Sequence, residues 1–244
     1  MKVIGVIPAR YNSSRLPGKP LADICGKPMI WWVFNQVKKV KQFGYVVVAT
    51  DDERIESYCL SEKIPFLHTS ADCPNHIHRI FEVTGKIKAD YYVSINGDEP
   101  LVSPENIEAV LPKTIIHDKP AFFSAYREMT DPAEVMDISN VKIVLSTQGQ
   151  CLYQSRFPIP TPKSSLQFKY KKAIGIECFN KEALEFFVNT PMGTLEKIED
   201  IDHLRFLENN IPIYYTKIAS DSLSVDTKAD LEKVTQIISK KLRG

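Results

Sequence analysis

The chain reads as an α/β protein with a mostly parallel sheet. Three observations predict this. Short β-branched runs alternate with amphipathic stretches of helical spacing over the first hundred residues, the β-α-β-α order that places helices on both faces of a sheet. Charged, Gly- and Pro-rich loops follow the ends of those runs, at the sheet edge where such folds bind ligands. The 244 residues are 43% hydrophobic and 25% charged, enough for one large domain or a domain with a subdomain.

Each element has its own reason. Lys2 to Ile7 is β-branched and stops at Pro8, so it reads as the first strand. Pro28 to Lys41 carries Ile30, Val33, Val37 and Val40 on one helical face. Tyr45 to Ala49 is a second buried strand, and Asp51 and Asp52 then open a helix, where acidic residues suit the N-terminus. Pro65 to His68 is a third strand, Arg79 to Ile87 a helix, and Tyr91 to Ile95 a fourth strand ending at Gly97-Asp98-Glu99-Pro100. Pro104 opens a further helix. Beyond it, Phe122 to Arg127, Asn140 to Leu145, Cys151 to Gln154 and Lys172 to Phe179 read as strands, with a turn at Gln148-Gly149 and a Pro- and Ser-rich loop over 156–170. Lys181 to Asn189 and Glu196 to Glu208 read as helices, Ile213 to Ile218 as a strand, and Thr227 to Leu242 as a closing helix. The expected organisation is one domain over 1–244 with a subdomain inserted at about 120–180.

Composition removes several function classes. A net charge of +1 provides no polyelectrolyte field for wholesale nucleic-acid binding. No apolar stretch is long enough to span a bilayer, and the N-terminal apolar run is too short for a secretory signal. The five cysteines are dispersed without CxxC spacing, which reads as reduced thiols and a cytoplasmic setting.

Three segments carry chemistry. Pro8 to Pro20 holds Arg10, Arg15 and Lys19 with Ser13 and Ser14, directly after a buried strand. A triphosphate needs backbone N–H groups together with such cations, although the Walker spacing is absent. A solvated basic loop is the other reading. Asp98 ends a buried strand, where a carboxylate suits Mg²⁺ but equally suits a capped turn. Asp226 either caps the last helix or supplies a second metal ligand.

Together, in this order, these segments make the chain resemble the CMP-Kdo synthetases (3-deoxy-manno-octulosonate cytidylyltransferases), within the acylneuraminate cytidylyltransferase group. The family's PARxxSxRLPGKPL stands as Pro8 to Leu21, GKPMI as Gly26 to Ile30, ATDDE as Ala49 to Glu53, GDEP as Gly97 to Pro100, and VDT-x-x-DLE as Val225 to Glu232. Asn140-Val141-Lys142 and Ser155 to Pro160 match its middle. The resemblance implies a Rossmann-like, GT-A-like nucleotidyltransferase fold with a mixed sheet flanked by helices and a small β-rich dimerisation subdomain. It implies a cytoplasmic homodimer that transfers CMP from CTP to a Kdo-like sugar acid for surface glycan synthesis, with Mg²⁺ as cofactor. By the same resemblance Pro8, Ala9, Arg10, Ser13, Arg15, Lys19, Asp51 and Arg79 bind the nucleotide. Arg10, Lys19 and Asp98 are catalytic, and Asp98 and Asp226 hold the metal.

The match fails at acceptor positions. Where the family has GTER or GTDR this chain has His76-Ile77-His78-Arg79, the Gln before GDEP is Asn96, the His before the later Gly-Ile is gone, and Glu-Gln before Leu-Arg is Asp202-His203. His76, His78, Asn96, Glu199, Asp202 and His203 are therefore the acceptor-binding candidates. On a strand, the spacing of His76 and His78 would point both to one face. The acceptor is Kdo, a modified sugar acid, or a phosphate or phosphonate compound. UTP in place of CTP, and a non-catalytic nucleotide-binding regulator, are the competing readings.

Overall fold

The computed structural model describes residues 1–12, 16–164, 168–219 and 223–243. They form two compact units, one from 1–108 with 221–244 and the other from 109–220. The second unit is wider than the insertion expected at about 120–180.

The sheet of the first unit has the strand order β6-β1-β4-β5, all parallel: β1 (Val3–Ala9), β4 (Phe43–Thr50), β5 (Phe66–His68) and β6 (Tyr91–Ile95). Between β1 and β4, the hairpin β2 (Asp23–Ile24) and β3 (Lys27–Pro28) turns through Cys25 and Gly26, both at positive φ, as a two-residue hairpin of this hand requires. Helix α1 (Met29–Val37) follows, shorter than the 28–41 expected; it buries Ile30, Val33 and Val37 of the expected face together with Met29 and Phe34, and Val40 is buried beyond its end. Helix α2 (Glu53–Ser61) starts at Asp52, whose side chain accepts from Arg54 N. Helix α3 (His76–Lys86) is capped the same way by Asn75, and α4 (Pro104–Glu108) opens on its proline.

The chain winds outward from β1 to β4 to β5, then returns to place β6 on the other side of β1. The winding reverses between β1 and β6, and at such a switch point the carboxyl ends of two adjacent strands diverge and leave a crevice. Residues 10–12 and 96–98 leave the sheet there.

The last helix of the unit, α9 (Lys228–Arg243), comes from the far end of the chain. Its Val234 and Ile238 pack with Val225, Leu16, Ile24 and Met29 in one buried cluster. Its start is a capping box: Thr227 Oγ1 accepts from Asp230 N at 3.2 Å, and the Asp230 carboxylate accepts from Thr227 N at 2.8 Å. Thr227 and Asp230 thus cap the helix, which is one of the two readings of Asp226.

In the second unit, β7 (Phe122–Glu128) pairs antiparallel with β10 (Lys171–Phe179) and parallel with β11 (Ile213–Lys217). Strands β8 (Lys142–Leu145) and β9 (Cys151–Ser155) form an antiparallel hairpin through Gly149 at φ 81°, and β8 joins β10. Helix α5 (Pro132–Met136) follows β7, and α6 (Lys181–Asn189) follows β10. The single helix expected over 196–208 is two, α7 (Thr194–Glu199) and α8 (Leu204–Glu208), because Asp200 turns left-handed at φ 51°. Arg205 is buried between them, with Nε and Nη2 at 2.7 and 2.6 Å from the Glu196 carboxylate and Nη1 on the carbonyls of Phe187 and Thr190. Its guanidinium lies over the Phe187 ring, and Phe122, Phe179 and Phe187 pack around Phe206 as the unit's aromatic core.

All five cysteines are free thiols, as the dispersed spacing predicts. Burial pushes those of Cys59 and Cys151 up to about 12, which leaves them unreactive.

Candidate active site

The crevice at the β1/β6 switch point is a cleft of 370 Å³ lined by Pro8, Ala9, Arg10, Asn12, Lys19, Pro20, His76, Arg79, Asn96, Gly97 and Asp98. The β1 and β6 ends approach closely because position 97 is glycine: a Cβ there would sit 3.0 Å from the Pro8 carbonyl oxygen. Gly97 thereby lets the Asp98 turn lie against the start of the basic loop.

That loop is closed on itself. Tyr11 O accepts from Gly18 N at 3.0 Å, and Gly18 turns at φ 70°, a conformation glycine adopts without cost. The Arg54 guanidinium lies 3.2 Å from the centre of the Tyr11 ring and is held by two hydrogen bonds to Asp52, at 3.0 and 2.6 Å. After Gly18, the helical turn Lys19–Leu21 buries Pro20 and aims Lys19 into the cleft. Ser13 and Arg15, expected on the nucleotide, lie outside the described residues.

Lys19 is the centre of the site. Its Nζ donates to Asp98 Oδ2 at 2.6 Å and to Asp226 Oδ1 at 3.1 Å. The three side chains are 15, 22 and 35% exposed, so the group is partly shielded but open to a ligand. Burial alone would lower the Lys19 ammonium, but the two carboxylates outweigh it and hold its pKa above the ordinary lysine value. Asp226 reaches Asp98 through its neighbour. Val225 is fully buried in the α9 cluster, and its N–H donates to the Asp98 carbonyl at 2.9 Å.

Asp98 Oδ1 is buried and has no hydrogen-bond partner among the described residues. An unsatisfied carboxylate oxygen beside a second carboxylate is a donor set suited to a hard divalent cation. No cluster of three or more His, Cys, Asp or Glu side chains that would hold a metal occurs among the described residues. Magnesium does not need one, since it binds through one or two carboxylates and completes its shell with water and substrate phosphates.

The remaining candidates are distributed. Arg79 is 1% exposed; its Nη1 donates to Thr69 Oγ1 and its Nη2 lies 3.3 Å from Asp51 Oδ1. That last contact lacks hydrogen-bond geometry on both atoms, so it is a charge contact only. His76 and His78 do not share a strand face. They occupy the first and third positions of α3, about 200° apart around the helix at 100° per residue. His76 lines the cleft. His78 instead bonds Asn75 Oδ1 through Nδ1 at 2.7 Å and its own N–H at 3.1 Å. The alternation His76-Ile77-His78 conceals the start of this helix, which the cap residue Asn75 marks.

Glu199, Asp202 and His203 belong to the second unit. Glu199 accepts from the Arg156 N–H at 2.9 Å. Asp202 precedes α8, and His203 is its cap, buried with Nε2 2.8 Å from Glu177 Oε1 and Nδ1 3.1 Å from the Tyr215 hydroxyl. Gln154 donates to the same hydroxyl at 2.9 Å. Glu177, Gln154 and Tyr215 carry no motif and are distant in sequence, so this network is invisible before folding.

Known proteins resemble this chain over nearly its whole length. A family model described as cytidylyltransferase matches residues 4–218. The 3-deoxy-manno-octulosonate cytidylyltransferase of Escherichia coli is 37% identical over 242 residues, covering 99% of this chain and 98% of that protein. A solved CMP:2-keto-3-deoxy-manno-octonic acid synthetase, complexed with CTP, superposes with a TM-score of 0.92 at 35% identity, over 99% of this chain and 100% of that one. The inositol-1-phosphate CTP transferase of T. maritima shares the fold, with a TM-score of 0.68 at 13% identity over 97% of this chain and 95% of that one.

Proposed function

Because the chain belongs to the 3-deoxy-manno-octulosonate cytidylyltransferase family, we propose that it transfers CMP from CTP to a Kdo-like sugar acid and releases pyrophosphate, for surface glycan synthesis. The observation that carries this reading is the meeting of Lys19, Asp98 and Asp226 at the mouth of the switch-point cleft.

An acceptor hydroxyl oxygen attacks the α-phosphorus, the bond to the bridging oxygen of the β-phosphate breaks, the hydroxyl proton is lost, and pyrophosphate leaves. Most of the protein's work is to position the reactants and to offset negative charge. Arg10 and Lys19 face the phosphates, and the loop N–H groups supply further donors. Asp98 and Asp226 would hold Mg²⁺, which would supply charge neutralisation at the phosphate oxygens. His76 and Arg79 of α3 and Asn96 after β6 line the cleft. His76 stands where the family has glycine, which favours a second acceptor reading: a modified sugar acid, or a phosphate or phosphonate that an imidazole would contact.

A homodimer built on the second unit is part of the proposal. Its support is that Met136, Ile138, Leu152 and Phe157 of that unit are exposed apolar side chains. A cytoplasmic setting is proposed from the free thiols. No helix among the described residues is long and apolar enough to cross a membrane.

The test is pyrophosphate release from CTP and Mg²⁺ over a panel of Kdo, 8-amino-Kdo, sialic-type acids, and small phosphates and phosphonates. Release with Kdo is the expected result, and Asp98→Asn should lower kcat by at least about 10²–10³-fold with an unchanged melting temperature. CTP binding without release on any acceptor would replace the enzyme with a nucleotide-binding regulator.

A further inference from the structure

We propose that Lys19 is a stand-in cation for the carboxylate pair, so that the free protein binds a divalent metal weakly and takes it up together with the triphosphate. This rests on the metal reading of Asp98 and Asp226 given above and adds an order of assembly to it.

The ammonium already bridges the two carboxylates, at 2.6 Å from one and 3.1 Å from the other. Two carboxylates this close to one cation would repel each other if left without one, so the empty site needs a positive charge. A divalent cation between the same oxygens must compete with the ammonium, because like charges in a partly shielded site repel strongly.

The lysine can give way without disturbing its backbone. Lys19 N donates to Leu16 O at 3.1 Å, its carbonyl accepts from Ala22 N at 3.1 Å, and Pro20 is buried next to it. Only the flexible four-carbon stem has to swing. Its new partner is the triphosphate, which brings negative charge to the cleft lined by Arg10 and Lys19. One exchange then satisfies every charge: the metal takes the carboxylates, and the ammonium takes the phosphate oxygens.

The experiment is a Mn²⁺ titration of the nucleotide-free full chain, read by the loss of the free-ion electron paramagnetic resonance signal. Removing two charge-assisted hydrogen bonds that compete with the metal corresponds to about a 10- to 100-fold gain in affinity. Lys19→Met should therefore bind Mn²⁺ at least about tenfold more tightly than the wild type. Lys19→Arg, which keeps the charge, should remain as weak as the wild type. Lys19→Gln serves if the Met variant does not fold. Equal or weaker Mn²⁺ binding by the uncharged variants overturns the proposal. Adding Asp98→Asn to Lys19→Met separates the two readings. Loss of the tight binding locates the ion on the carboxylates. Retention of it removes the metal reading itself, and the stand-in role with it.

Discussion

Val225→Ala is the sharpest test of how packing builds this site. Val225 is fully buried against Leu16, Ile24, Met29, Val234 and Ile238, and its N–H ties the segment to the Asp98 carbonyl. Truncation removes two methyl-sized groups, worth about 0.8 kcal/mol each by transfer. The cavity left behind brings the total to about 2–3 kcal/mol. At roughly 2–4 °C per kcal/mol for a chain of this size, the melting temperature should fall by about 5–10 °C. The next residue is Asp226, so relaxation into the cavity moves a carboxylate that now sits 3.1 Å from Lys19 Nζ. A misplacement of about 1 Å can cost 10²-fold in rate, so kcat should drop by about 10- to 100-fold and the Mg²⁺ requirement should rise. Pyrophosphate release over a Mg²⁺ series, beside thermal melts, measures both. Val47→Ala is the control, an equally buried valine in β4 with the same loss of volume. If Val225→Ala matches Val47→Ala in stability, kcat and Mg²⁺ requirement, Asp226 does not owe its position to this cluster.

The two histidines of α3 should part company. His76→Ala should change the acceptor KM several-fold, about the effect of one altered polar contact, whereas His78→Ala should leave it alone; equal shifts in both would place His78 in the cleft as well. Asp230 gives a pH prediction. Burial would raise its carboxyl, but the Thr227 side chain and the Thr227 and Asp226 N–H groups outweigh this and hold it below the ordinary value of 3.8. A depressed folded value contributes stability above pH 3.8 that is lost as the pH falls through the folded value. Asp230→Ala should therefore cost about 1 kcal/mol near neutrality in urea melts, as cap losses do. The gap to wild type should close below about pH 3.8, and a gap that persists in acid would separate the cap from ionisation.

The strands of the first unit were legible because buried parallel strands are continuous β-branched runs, and β1, β4 and β6 follow them closely. The loop cations and Asp98 were legible because they directly follow such runs. Asp226 was visible only as an alternative, since nothing local tells a cap from a ligand. Asp230, three residues after Thr227, was the decisive signal, because a Thr-x-x-Asp box caps the helix by itself. The start of α3 was missed because His76-Ile77-His78 alternates like a strand, and the cap on Asn75 outweighs that pattern. The break between α7 and α8 was missed because Asp200 adopts φ 51° without being glycine. The network of His203, Glu177, Gln154 and Tyr215 joins four elements, and periodicity within an element carries no trace of it.

The partner that completes the Lys19 site is 207 positions downstream of it. During synthesis Lys19 and Asp98 emerge early, and the whole second unit is made before Asp226 appears. Closing so long a loop is slow compared with forming local contacts, and α9 must dock before the second carboxylate is in place. A chain that stops ahead of α9 lacks Val234 and Ile238, against which Val225 packs beside Asp226. The geometry around Lys19 thus depends on packing made by the last helix, more than two hundred positions away.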